Sequence, residues 1–137
     1  MEERRIPAVD AHRGEVTVTL RFTRREPWRV EVVTPSGSVV SGASSADRFH
    51  ALLDVRRQLE PLGLQLCCNG ARLDVWPSGM VGQMSGGRNA YLRPVGRAPD
   101  GRDLVDVFDP APCDRVGTVE AQRAALDRWI GRRRDRP

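Results

Sequence analysis

A strict alternation near the start of the chain sets the first constraint on the fold. Val16, Val18, Leu20 and Phe22 are interleaved with Glu15, Thr17, Thr19 and Arg21. Successive side chains of a strand point to opposite faces, so this pattern builds one apolar and one polar face. After the turn RREP, Trp28, Val30 and Val32 alternate with Arg29 and Glu31 and supply the hairpin partner. Pro35-Ser36-Gly37 carries turn chemistry, and Ser38 to Ser41 predicts a short returning strand. Half-exposed strands joined by short turns point to an antiparallel sheet with one covered face.

The cover follows in sequence. Ser44, Ser45 and Asp47 can cap a helix start. Phe49, Leu52, Leu53, Val55, Leu59 and Leu62 recur at helical intervals, and Pro61 with Gly63 ends the run. Arg48, Asp54, Arg56, Arg57 and Glu60 form its polar side, with His50 beside them as a surface residue. Leu64, Leu66 and Cys68 then alternate with Gln65 and Cys67. Asn69-Gly70 predicts a type I′ hairpin, because that turn needs positive φ at both central residues. Leu73 and Val75 continue on its return strand, with Asp74 and Trp76 on the other face. Residues 90–95 and 104–108 predict another strand pair, Pro94 marking an edge or a strand end. Thr118 caps a last helix with the apolar stripe Val119, Ala125, Leu126, Trp129 and Ile130. The expected fold is α+β: an antiparallel sheet of hairpins with two amphipathic helices packed on it. It forms a single domain over 15–130, between a mobile polar arm (1–14) and an Arg-rich tail (131–137).

Composition excludes several classes of function. The chain has 137 residues, 39% of them apolar and 29% charged, which fits a soluble globular domain. No apolar run nears the ~20 residues of a membrane span. The opening MEERRIPAVDAHRGE lacks the apolar core of a secretory leader. No membrane association and a cytoplasmic location are therefore expected. All 22 basic residues are arginine, and the net charge is +4. Most of that excess sits in the tail, at Arg132, Arg133, Arg134 and Arg136 against Asp135. A nucleic-acid binder carries its basic face on the folded body, so no nucleic-acid partner is expected. The 3 cysteines are an odd set, with Cys67 and Cys68 adjacent and Cys113 distant. Free thiols are expected. With no Cys-x-x-Cys and no ligand spacing for His12 and His50, neither metal nor cofactor is expected.

The glycine-rich loop 78–89 admits three readings. Its glycines could let backbone N–H groups cradle an anion, with Gly86, Gly87 and Arg88 as the binding set. The spacing matches no known phosphate loop. It could equally be a helical turn capped by Ser78 with Met80, Val81 and Met84 inward, or a partner-binding loop. Ser78 lies in Pro-Ser-Gly and not in a nucleophile elbow. Cys67 and Cys68 fall in a predicted strand, and neither histidine has an identifiable acidic orienter, so no catalytic residue is assigned. Aromatic residues and arginine favour binding hot spots, which makes Trp76, Ser78, Met80, Arg88, Tyr91 and Arg93 the candidate partner-binding set. Trp76 could instead pack beneath a helix.

The runs FHALLDVRRQLEPLG, LQLCCNGARLDVWPSGM, QMSGGRNAYL, DLVDVFDPAP and GTVEAQRAALDRW together resemble a family of small, largely uncharacterised bacterial proteins. The resemblance spans most of residues 46–130 and implies accessory or immunity-type partners of bacterial toxins. It carries over no catalytic residues. The expected function is a non-enzymatic protein-binding module, immunity-type in its specific form. The alternative is an anion- or nucleotide-binding protein that uses loop 78–89.

Overall fold

The computed structural model describes residues 1–77 and 85–134. The alternating segments form a curled five-stranded antiparallel sheet in the order β4-β3-β2-β1-β5. Its strands are β1 (Glu2–Asp10), β2 (Gly14–Phe22), β3 (Trp28–Val33), β4 (Val39–Ser44) and β5 (Leu64–Leu66). Val18, Leu20 and Phe22 of β2 are buried with Val30 and Val32 of β3, as their period-two spacing requires. A second sheet in the order β6-β7-β8 holds β6 (Val75–Trp76), β7 (Asn89–Leu92) and β8 (Leu104–Asp106). The α+β class with antiparallel pairing is as expected; the division into two sheets is not.

The arm expected over residues 1–14 is instead β1, paired on both sides. Ile6 faces Val18, and Ala8 faces Val16 on one side and Leu66 on the other. Pro7 fits this interior position for a local reason. The Cys67 N–H donates to the Pro7 carbonyl, while the Cys67 carbonyl accepts from Ala111 and asks nothing of the proline nitrogen.

Helix α1 (Arg48–Leu59) covers the apolar face of the large sheet. Asp47 caps it by accepting from the His50 N–H at 2.8 Å. Gly63, at φ 79°, ends the 3-10 turn that follows. The helix lies so close to β4 that a Cβ on Gly42 would sit 2.5 Å from the Ala51 carbonyl and 2.6 Å from the Val55 nitrogen. Gly42→Ala is expected to lower stability by about 1–3 kcal/mol, read as a lower urea midpoint at unchanged slope. Side chains of α1 also reach the outer edge of β4. Asp54 accepts from the Ala43 N–H at 3.0 Å, and the Gln58 amide donates to the Ser41 carbonyl at 2.7 Å.

Helix α2 (Val119–Arg134) absorbs the first part of the expected tail; residues 135–137 lie outside the described set. Thr118 caps it, accepting from Ala121 at 3.0 Å, and the Glu60 carboxylate accepts from the Val119 N–H at 3.0 Å. It packs on β6 of the small sheet and on α1. Gln122, fully buried, donates to the carbonyls of Gly70, Arg72 and Val75. Its own carbonyl accepts from Arg56 of α1 at 2.6 Å, and Arg56 also donates to the carbonyls of Gly70 and Gly117.

Two local expectations are corrected at the junction of the sheets. Asn69-Gly70 makes no type I′ hairpin; Asn69–Ala71 is a 3-10 turn, and Gly70 is not among the glycines at positive φ. Gly70 is needed for space, because a Cβ there would lie 2.6 Å from Leu52 Cδ2 and 3.1 Å from Val107. The free-thiol reading fails for two cysteines: Cys67 and Cys113 form a disulfide across 46 residues. Cys68 stays a free, buried thiol, pushed up to about 11 by burial.

Candidate functional site

The residues singled out in the sequence fall into separate environments. Trp76 and Tyr91 are cross-strand neighbours in β6 and β7. Trp76 is half-buried, edge-on to Phe49 at 5.0 Å between centroids, with Arg123 of α2 lying 5.5 Å from its ring. It packs beneath the helices. Ser78 and Met80, with the rest of residues 78–84, lie outside the described residues.

Arg88 is an internal tie and not a free cation. Its guanidinium clamps Glu2 through two bonds of 3.0 Å and donates to Asp106 at 3.0 Å. Arg4 joins the same acids and adds Asp109 at 3.3 Å. Both guanidinium groups sit over Phe22, which stacks on Phe108 at 3.9 Å. The Arg88 clamp holds the Glu2 carboxyl below its ordinary value. Gly86 and Gly87 are equally committed. The Gly86 carbonyl accepts from both the backbone N–H and Nε of Arg48, whose guanidinium lies 4.9 Å from the Trp28 ring. Gly87, at φ 77°, presses on the start of α1, where an added Cβ would lie 2.8 Å from the Asp47 carboxylate. An anion here would meet that acid at once, so these residues do not form a cradle.

His50 does have an acidic orienter, contrary to expectation: its Nδ1 lies 2.8 Å from Asp47 Oδ1. The same oxygen caps α1, so the pair is a product of the helix start. Among the described residues no cluster of His, Cys, Asp or Glu could hold a metal ion. None of the helices in those residues is long and apolar enough to cross a membrane.

Among the described residues singled out in the sequence, Arg93 lines a cleft. A cleft of about 450 Å³ opens between the end of β7, the segment before α2, and α2 itself. Leu73, Pro94, Val95, Ala125 and Trp129 give it apolar walls, and Val95 is 99% exposed. Arg93, Arg97, Arg115 and Arg132 face it against the acids Asp74 and Asp114. Arg93 lies with its guanidinium 5.7 Å from the Trp129 ring and donates from Nη2 to the Leu73 carbonyl. Its Nη1 is buried with no hydrogen-bond partner. Burial pushes the Arg93 pKa down, against the pull of Asp74.

No protein-family model matches this chain, and neither does any curated protein. The cleft therefore stands on its own geometry. Of its lining, Arg93 belongs to the binding set expected from the sequence, whereas Ala125 and Trp129 fall in the stripe expected to face the core and Arg132 in the expected tail. The available signal was their spacing: 125, 129 and 132 share one helical face. That face turns from apolar to cationic along its length and opens on the cleft.

Proposed function

We propose that this chain is a non-enzymatic protein-binding module whose working face is the cleft between the small sheet and α2. One observation carries the reading: an apolar-walled cleft containing an indole, in which arginines outnumber acids. Tryptophan and arginine supply much of the binding energy at protein interfaces. A surplus of positive charge favours acidic partners and speeds their encounter. The specific form we propose is an immunity-type protein that neutralises a cognate bacterial toxin. Such an inhibitor needs a complementary surface and no chemistry of its own.

The test is affinity capture of the full chain from its native organism, with Val95→Asp and Trp129→Ala in parallel. Wild type is expected to retain one stoichiometric protein. Val95→Asp, at a fully exposed position, should cut retention about tenfold or more without changing the melting temperature. A chain that retains nothing, or variants that retain as much as wild type, would remove this reading.

A further inference from the structure

Resting on that reading, we propose that Arg93, Arg115 and Arg132 form a carboxylate-reading subsite in the cleft, occupied by an acidic segment of the partner protein. Some charges in the cleft are already committed. Arg97 is held by both oxygens of Asp103, at 2.8 Å each. Asp74 is held by Arg72 at 2.8 and 2.9 Å. Neither pair has much left to offer a ligand. Arg115 and Arg132 are exposed and make no ion pair among the described residues. Arg93 lines the same cleft, with its guanidinium 5.7 Å from the Trp129 ring. Against these three cations the cleft sets the exposed Asp114, which also acts on Arg72 at longer range and makes no ion pair within 4 Å among the described residues.

The shape of the cleft favours a chain segment over a free ion. Its three cations come from three separate places: the end of β7, the loop before α2 and α2 itself. Between them lie Leu73, Val95 and Trp129, which a small inorganic anion would leave uncovered. A glutamate-bearing segment supplies carboxylates for the guanidinium forks and aliphatic stems for the apolar wall.

The probe is fluorescein-labelled hexaglutamate, followed by fluorescence anisotropy with the full chain at low and at physiological salt. Arg115→Ala and Arg132→Ala should each weaken binding about fivefold, and the double variant more. Arg13→Ala and Arg25→Ala, at exposed arginines in turns of the large sheet, should leave it unchanged. Labelled hexaserine should not bind. Equal losses from the turn variants, or equal binding of hexaserine, would overturn the subsite. Displacement of hexaglutamate by inorganic phosphate at equal molar charge would overturn the segment as occupant. The captured partner separates the two proposals: retention lost with Val95→Asp but kept by the double arginine variant overturns the subsite alone.

Discussion

Arg56→Met is expected to lower the unfolding free energy by about 3–4 kcal/mol, because it removes donors from carbonyls that have no water to replace them. Arg56 is 3% exposed and its guanidinium meets no carboxylate directly among the described residues. It donates instead to Gly70, Gly117 and the side chain of Gln122. Burial lowers its pKa, with the Cys68 thiol and Glu60 opposing that shift. Methionine fills similar space, so the loss reports the hydrogen bonds more than a cavity. Arg56→Lys should retain part of the stability, since one ammonium cannot reproduce the planar fork. Gln122→Ala should cost a similar amount, and the double variant much less than the sum, because both serve one network. Urea titration of wild type and the four variants checks this. A neutral Arg56→Met, as replacement of some buried charges by apolar groups has proved, would show that packing alone joins α1, α2 and the small sheet.

Cys113→Ser should be at least as severe. Closing a loop of 46 residues corresponds to about 4 kcal/mol of unfolded-chain entropy. The melting temperature should fall by on the order of 10 °C. A reductant should lower the wild-type melt by the same amount and leave Cys113→Ser unmoved. Equal melts of wild type with and without reductant would show that the bridge contributes nothing. The loss should not be total, because the bridge lies inside a ribbon of backbone hydrogen bonds. Asn69 donates to Asp109, Ala111 to Cys67, Leu73 to Arg115 and Gly117 to Ala71.

The parts of the fold legible in the sequence are those where one side chain pattern decides one element. Val18, Leu20 and Phe22 must share a face in any strand, and Phe49, Leu52, Val55 and Leu59 must share one in any helix. Strand β1 escaped because its inward positions include few apolar residues and its proline argues against a paired strand. Only the neighbouring use of the Cys67 carbonyl makes Pro7 acceptable. Asn69-Gly70 misled for a related reason: the glycine answers to Leu52 and Val107, distant in sequence, and not to its own φ. The Cys67–Cys113 pairing was likewise hidden by distance along the chain. The cleft was the least legible feature. Its arginines come from separate segments, and nothing local distinguishes Arg115, which makes no ion pair among the described residues, from Arg88, which is clamped by Glu2 and Asp106.

The contacts of Asp54 and Gln58 with the outer rim of β4 carry a consequence for how the molecule meets others. An open strand edge is a template on which foreign chains can zip up, whether as a peptide ligand or as the first layer of a fibril. Here an acceptor and a donor from α1 already occupy the Ala43 and Ser41 positions that such a chain would need. Asp54 and Gln58 thus act as a guard rail, and Asp54→Ala with Gln58→Ala should make the chain more prone to fibrous self-assembly, read as thioflavin binding over time, while leaving its core intact.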